Sequence, residues 1–166
     1  MDLYIIRHAR AVDKDLPVDD AHRPLSGRGR RDAHGVGRAM RDAGAELAAI
    51  VTSPLVRAVE TAELIAVGLG FDDALDVAPE LMPGHHPQAV MEEVLLPRAD
   101  LPSLALVGHE PQLGVLLGAL LRARTAGLSK GVAVRLVWEG PGTPARFKWV
   151  IRPGAERPSK DPADIG

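Results

Sequence analysis

The sequence predicts a three-layer α/β/α sandwich with a mostly parallel central sheet of about six strands and helices on both faces. Short apolar runs alternate with helical patterns along much of the chain, and this order is typical of a parallel sheet that helices cover. Aromatic residues supply only 3% of the composition, against 46% for all hydrophobic types. The core must therefore come from aliphatic side chains that pack between layers. The 166 residues are enough for one domain.

The first strand–helix unit lies at the start of the chain. Residues 2–6 are a short β-branched and aromatic run, which predicts a buried strand. After a polar stretch, Ser26 can cap a helix and Gly44 can end it. The inward side of this helix carries Ala33, Val36 and Met40.

The second unit follows directly. Residues 47–52 predict another strand, and Ser53-Pro54 is a helix start with Ser as the N-cap and Pro at the first helical position. The next helix has an apolar stripe at steps of three and four and closes at Gly70. Arg57 is off that stripe. The stripe consists of Leu55, Ala58, Val59, Ala62, Ile65, Ala66 and Leu69.

Four more strands and two more helices are predicted in the rest of the chain. The strands span residues 74–78, 103–107, 132–138 and 146–151, and the helices span residues 87–96 and 112–121. A Gly-Pro-Gly segment separates the last two strands, which indicates a closing antiparallel pair. We therefore expect one domain over residues 1–152. Residues 153–166 are rich in Pro, Gly, Ser and Asp without periodicity, so we expect a mobile tail.

Two histidines and two arginines follow three of the predicted parallel strands. Arg7 and His8 end the first strand, Arg57 comes soon after the second, and His109 follows the strand at 103–107. In open α/β sheets, ligands bind outside the carboxyl ends of the strands. These four side chains are therefore expected to meet at one rim.

The chemistry of this set favours a phosphoryl group. Arginine presents a fixed fork of donors that matches phosphate oxygens in pairs. A neutral imidazole beside two arginines can attack phosphorus, and a second imidazole can stabilise the charge that develops. The chain has no cysteine, so thiolate catalysis and Cys-based zinc sites are excluded. Any one of these residues alone would be interpreted as an ordinary surface or loop residue. Their expected position together at one rim is what favours a phosphoryl-binding site.

Three ordered runs carry a resemblance to a known family. They are Ile5-Ile-Arg-His-Ala9, Thr52-Ser-Pro-Leu-Val-Arg-Ala-Val-Glu-Thr-Ala62 and Val107-Gly-His-Glu-Pro111. Together they resemble the histidine phosphatase superfamily, which has the phosphoglycerate mutase-like fold. The short chain and the Arg23-Pro-Leu-Ser26 and Pro79-Glu-Leu81 stretches are most similar to the compact SixA-like phosphohistidine phosphatases.

The resemblance implies a role for each matching residue. His8 would be the nucleophile, and Arg7 and Arg57 would clamp the phosphoryl group. His109 would be the second histidine, which stabilises the group in transfer. Arg23 corresponds to a similar arginine of the SixA-like branch and would add a third positive contact.

The general acid is the most open part of the predicted site. In many relatives a carboxylate protonates the leaving group, and the resemblance makes Glu80 the candidate, with Glu110 as the rival. A surface position for Glu80 is equally compatible with the sequence. The adjacent His85 and His86 could hold a metal, but no set of Cys, Asp or Glu completes a tetrahedral site. We interpret them as a substrate-side loop or plain surface.

Three functions are compatible with these residues. The leading one is a metal-independent protein phosphohistidine phosphatase that acts on a small phosphotransfer protein, for which Arg28, Arg30 and Arg31 could offer a basic docking surface. The second is a small-molecule phosphomonoesterase for a sugar phosphate or nucleotide. The third is a phosphate-binding module without turnover.

Charge and hydropathy limit the partners. A net charge of −2 gives no reason to expect a nucleic-acid partner. No apolar run approaches a membrane span or a signal peptide, so a cytoplasmic protein with no membrane partner is expected. We expect no cofactor and no metal, a monomer or weak dimer, and full activity in the presence of a chelator.

Overall fold

A six-stranded sheet in the order β3-β2-β4-β1-β5-β6 forms the centre of the molecule. The computed structural model describes residues 1–166. The first four strands in that order are parallel, and β5 runs antiparallel to both β1 and β6. The predicted mostly parallel sheet with a closing antiparallel pair is confirmed. The strands are β1 (Asp2–Arg7), β2 (Ile50–Thr52), β3 (Asp76–Val77), β4 (Ser103–Gly108), β5 (Ala133–Val137) and β6 (Arg146–Ile151).

Helices cover both faces of this sheet. They are α1 (Gly27–Asp42), α2 (Val56–Leu69), α3 (Pro87–Ala89) and α4 (Gln112–Leu121). The segment predicted as one helix at 87–96 continues from α3 as a π-helical stretch, Val90–Leu95, and a 3₁₀ turn, Leu96–Arg98. Pro97 has no amide N–H, so a regular α-helix cannot continue through it. No helix is both long and apolar enough to span a membrane.

Alternate residues of the central strands build two separate hydrophobic layers. Leu3 and Ile5 of β1 point to the layer under α4, whereas Tyr4 and Ile6 belong to the layer under α1 and α2. Because successive side chains of a strand point to opposite faces, a strand that is buried on both sides reads as a continuous apolar run. This explains why the core strands are recognisable in the sequence.

The predicted start of the second helix is wrong. The helix begins at Val56 with Leu55 as its N-cap, and no side chain caps it. The Ser53 hydroxyl accepts from the Leu55 amide at 3.3 Å, just before the helix, and it also contacts a residue at the rim of the sheet, as described below. Elsewhere the capping signals hold, because the Ser26 hydroxyl accepts from the Gly29 amide at 3.1 Å and Gly70 ends α2 in the left-handed conformation.

The segment at residues 153–166, for which the sequence predicts a mobile tail, makes defined contacts with the rest of the molecule. Ser159 forms an isolated antiparallel bridge with Val150 of β6, and a 3₁₀ turn covers Pro162–Ile165. Ile165 is 3% exposed, and its carbonyl accepts from the Ser129 amide at 3.1 Å. A single large apolar residue in a polar segment forms no periodic pattern. The sequence alone therefore does not predict that Ile165 attaches this segment to the domain.

Candidate active site

The carboxyl ends of the parallel strands open into a cavity of about 770 Å³. It is lined by six of the candidate site residues, namely Arg7, His8, Arg23, Arg57, His109 and Glu110. The rim expected from strand order therefore exists. Glu80, His85 and His86 are not part of the lining.

The His8 ring has a defined hydrogen-bonding state. Its Nδ1 lies 2.7 Å from the Ala9 carbonyl oxygen. Since a carbonyl oxygen can only accept, Nδ1 carries the proton and Nε2 keeps its lone pair. The backbone is fixed as well, because the His8 amide donates to the Gly108 carbonyl at 3.0 Å. The ring is thus prepared for attack through Nε2.

Both rim histidines are neutral at pH 7. Burial, together with the positive charges of Arg57 and Arg7, lowers the pKa of His8 to about 4, although the hydrogen bond to the Ala9 carbonyl acts in the opposite direction. Burial likewise lowers the pKa of His109 to about 3, with contributions from His8 and Arg57. A neutral imidazole is the nucleophilic form, so the site maintains this form over the physiological range.

His109 lies against His8 and is held by Ser53. The two imidazole centroids are 4.9 Å apart and the rings are inclined by 52°. The Nε2 atom of His109 is 2.9 Å from the Ser53 hydroxyl oxygen. This bond leaves Nδ1 of His109 available to a ligand. Ser53 was not among the predicted site residues, because a Ser-Pro pair is also typical of a helix start.

Three arginines converge on the cavity, and one carboxylate ties two of them together. Arg57 donates to the Asp20 backbone oxygen at 2.6 Å and to its Oδ2 at 3.1 Å. Arg23 donates from Nε to Asp20 Oδ1 at 3.2 Å. Although Arg57 is off the apolar stripe of α2, it is only 4% exposed, and Arg23 is 8% exposed. Asp20 was not predicted as a site residue, because it belongs to no recognisable motif. Its position three residues before Arg23 was the one available signal.

Two arginine nitrogens at the site are buried without a partner. They are the Nε atoms of Arg7 and Arg57. A buried donor that makes no hydrogen bond costs about 1–3 kcal/mol, more if it is charged. The terminal nitrogens of these guanidinium groups are the donors that an oxyanion in the cavity would use.

The nucleophile loop is tied to α2 through Thr61. The Thr61 hydroxyl accepts from the Ala9 amide at 3.0 Å and donates to the Arg57 carbonyl at 2.6 Å. Thr61 is fully buried. One hydroxyl thus links the residue after the nucleophile to the helix that carries Arg57, which fixes the distance between the two groups.

The two proposed general acids have different surroundings. Glu110 lines the cavity, but its Oε1 accepts from the Leu128 amide at 3.1 Å. Glu80 lies in the 3₁₀ turn Pro79–Leu81, where its backbone oxygen accepts from Gln112. Glu110 uses one carboxylate oxygen in its bond to Leu128, and Glu80 uses its backbone rather than its carboxyl group. An acid role for either residue stays a proposal.

The two adjacent loop histidines serve the local backbone. The Nδ1 atom of His86 accepts from the Gln88 amide at 3.2 Å and so caps α3. The His85 carbonyl accepts from the Gln112 side chain at 3.0 Å. The structure contains no group of three or more His, Cys, Asp or Glu side chains that could hold a metal ion.

Comparison with known proteins identifies the family. The sequence profile of the Histidine phosphatase superfamily (branch 1) matches residues 3–83. An uncharacterised protein of Picosynechococcus sp. is 34% identical over 129 residues, covering 69% of this chain and 69% of that protein. The chain belongs to the histidine phosphatase superfamily. The family predicted from the three sequence runs is confirmed.

Solved structures of other histidine phosphatases share the fold. The protein histidine phosphatase SixA complexed with tungstate superposes with a TM-score of 0.83 at 24% identity, covering 92% of this chain and 97% of that chain. The alpha-ribazole phosphatase from Shigella flexneri gives a TM-score of 0.67 at 17% identity, covering 95% and 98%. At these identities the likeness shows the fold, which is the phosphoglycerate mutase-like fold predicted from the sequence.

Acid should destabilise this histidine phosphatase more than its His8→Asn variant. The folded protein lowers the pKa of His8 to about 4, whereas an unfolded imidazole titrates near 6.5, so below that pH the unfolded state binds more protons. Stability is therefore lost as the pH falls from about 6.5 towards 4, by up to about 1.4 kcal/mol per pH unit. Urea unfolding of both proteins at pH 7 and pH 4.5 measures the difference. Equal losses would show that His8 is not held neutral in the fold.

Proposed function

We propose that this protein is a metal-independent phosphohistidine phosphatase that acts on a protein substrate through a covalent phosphohistidine at His8. The observation that carries the proposal is the neutral His8 ring, whose Nδ1 is engaged by a carbonyl oxygen and whose Nε2 is free. Arg7, Arg23 and Arg57 line the same cavity. This combination supports nucleophilic attack on a bound phosphoryl group.

The first chemical step transfers the phosphoryl group to His8. Nε2 attacks phosphorus, a nitrogen–phosphorus bond forms, and the bond from phosphorus to the leaving group breaks. Charge spreads over the equatorial oxygens, where guanidinium donors and the free Nδ1 of His109 would stabilise it. The leaving group departs with the electron pair and takes a proton from an acid or from water.

The second step releases phosphate. Water attacks the phosphorus of the phosphoenzyme in line with the nitrogen–phosphorus bond, which breaks and returns the electron pair to Nε2. The products are inorganic phosphate and the free enzyme. No redox change and no external co-reactant other than water is needed.

The state of the carboxylates supports phosphohistidine as the substrate. Of the three carboxylates that line the cavity, Glu110 is bonded through one oxygen to the Leu128 amide, Asp20 is paired with Arg57 and Arg23, and Asp13 is exposed. Glu80 does not line the cavity. An alkoxide leaving group needs a proton in the transition state. An imidazole leaving group needs less assistance, so a site without a well-placed acid suits a phosphoramidate better than an alkyl ester.

Replacing Glu80 by Gln should separate these substrate classes. If Glu80 supplies the proton for an alkoxide, the variant loses about 10²-fold or more in kcat on an alkyl phosphomonoester such as phosphoserine, and much less on phosphohistidine. Glu110→Gln tests the rival acid, and Glu63→Gln, an exposed glutamate of α2, is the matched control. Equal losses on both substrate classes would count against an acid role for Glu80.

A small-molecule phosphomonoesterase is the second candidate. The cavity of about 770 Å³ lies within the size range of small-molecule sites, roughly 300–1,000 Å³. One relative by fold is named an alpha-ribazole phosphatase. The same residues would perform the same two steps on a sugar phosphate or nucleotide.

The test compares turnover of a phosphohistidine-bearing phosphotransfer protein with turnover of para-nitrophenyl phosphate, both in the presence of a chelator. The expected result is faster cleavage of the protein substrate, with both activities lost in His8→Ala. Activity on the small ester alone would favour the phosphomonoesterase. No turnover of either substrate would favour a phosphate-binding module, and an absolute requirement for Mg²⁺ would contradict the mechanism.

A further inference from the structure

The active-site cavity carries more positive charge than one phosphoryl group requires. Besides the three arginines already described, Arg10, Lys14 and Lys130 line it. All three side chains belong to exposed residues. None of them makes an ion pair or a side-chain hydrogen bond in the structure, whereas Arg23 and Arg57 share Asp20. We call these three residues the free cations.

The backbone at Arg10 is held firmly beside the nucleophile. Its carbonyl accepts from both the amide and the hydroxyl of Ser26, at 2.9 and 3.1 Å. A Cβ atom on Gly29 would lie 2.0 Å from that carbonyl oxygen, so α1 can approach only because residue 29 is glycine. The main chain of Arg10 is therefore fixed while its side chain remains free.

Lys130 is placed by a second set of backbone contacts. The next residue, Gly131, donates its amide to the carbonyls of Arg7 and His8, at 3.2 and 3.1 Å. Gly131 has a φ of 78°, a conformation that favours glycine. Arg7 also donates to the Leu128 carbonyl at 2.6 Å. The segment that carries Lys130 is thus bound directly to the Arg7–His8 pair.

The free cations lie in an environment of like charge. Burial lowers the pKa of Lys130, and Arg7, Arg10, Arg23 and Lys14 lower it further. Three carboxylates line the same cavity. Asp20 is engaged with the two arginines, Glu110 with the Leu128 amide, and Asp13 forms no ion pair. Repulsion between neighbouring cations without a counter-ion is unfavourable, and an added anion relieves it.

We propose that Arg10, Lys14 and Lys130 form a second anion subsite, which binds a second phosphoryl or carboxyl group of the substrate beside the phosphoryl group that is cleaved. The inference rests on the proposed function in one respect: the phosphoryl group that is cleaved is assumed to bind at the end of the cavity formed by Arg7, His8 and Arg57. A phosphohistidine next to an acidic side chain and a small diphosphate both offer this pair of anions.

The arginines at the start of α1 do not line the cavity, and two of them are paired. Arg30 forms an ion pair with Glu60, and Arg28 lies 3.8 Å from Asp32. Their charge is therefore partly neutralised within the protein. The free cations border the cavity itself, so they are better placed to select among substrates.

Calorimetric titration of the whole protein with three phosphonates tests the subsite without turnover. Methylphosphonate has one anionic group, methylenediphosphonate has two, and phosphonoacetate pairs a phosphonate with a carboxylate. We expect methylenediphosphonate to bind about tenfold or more tighter than methylphosphonate, the gain expected of added charge-assisted contacts. Tight binding of phosphonoacetate as well would indicate that an acidic side chain of a protein can supply the second anion, and a gain for the diphosphonate alone would indicate a second phosphoryl group.

Charge-neutral variants provide the decisive comparison. In Lys14→Gln/Lys130→Gln the advantage of methylenediphosphonate should fall to about twofold or less, whereas the affinity for methylphosphonate should change much less. Lys148→Gln, an exposed lysine of β6 outside the cavity, removes one charge elsewhere and should retain the advantage. If methylphosphonate binds and the diphosphonate binds no better, the subsite is refuted but the phosphate site stands. If neither binds, the phosphate site fails and the inference fails with it.

Discussion

His8→Ala should lose at least about 10³-fold in kcat on every phosphate substrate, because the variant has no atom that can accept the phosphoryl group. The positively charged arginines and the neutral His109 remain in the variant, so substrate should still bind. We therefore expect a loss in kcat with a much smaller change in KM or in the Kd of inorganic phosphate. Steady-state kinetics combined with calorimetry of phosphate binding measures the two effects separately.

The His8 experiment has a matched histidine control. His34 lies on α1 and does not line the cavity, so His34→Ala should keep nearly the full kcat. Thermal unfolding followed by circular dichroism checks that His8→Ala is folded, since the ring is only 7% exposed. A folded His8→Ala protein that keeps wild-type turnover would mean that another group attacks phosphorus.

Arg57→Lys should lose about 10²-fold in kcat/KM even though the charge is retained. Arg57 is 4% exposed, and its two terminal nitrogens donate to Asp20 in a fork. Lysine offers a point charge on a flexible stem and cannot reproduce paired donors to a phosphoryl group. Arg57→Ala should lose more, because a buried charge next to Asp20 disappears as well. Kinetics on para-nitrophenyl phosphate measures both variants.

Arg38→Lys is the matched control for Arg57. Arg38 is exposed on α1 and lies outside the cavity lining, so the same chemical change there should leave kcat/KM within about twofold, as for most surface substitutions. If Arg57→Lys also stayed within twofold, paired donation by Arg57 to the substrate would be refuted.

Local signals explain which elements the sequence could predict. The bounds of α4, Gln112–Leu121, and of β6, Arg146–Ile151, are those predicted, because apolar periodicity and flanking turn residues lie within each segment. The rim was also predictable. Parallel strands place their carboxyl ends together, so three residues far apart in the chain, His8, Arg57 and His109, could be expected to meet.

The site contacts that the sequence did not predict are those between residues far apart in the chain. Ser53 bonds His109, 56 residues away, and Asp20 pairs with Arg57, 37 residues away. Each residue also fits a local interpretation, Ser53 as a helix cap and Asp20 as an ordinary loop carboxylate. The anchor of the tail, Ile165, packs in the core cluster under α4. Such choices between local and distant partners are decided by the tertiary structure alone.

A phosphoenzyme at His8 is the most direct consequence of the proposed mechanism. Wild-type protein mixed with substrate is quenched in alkali during the first turnovers, which preserves phosphohistidine, and the peptide that contains His8 is analysed by mass spectrometry. We expect one phosphoryl group on His8, formed and lost at rates consistent with turnover, and none in His8→Ala. A phosphoryl group on a different residue, or full turnover by the wild type with no phosphoenzyme at any time, would contradict it.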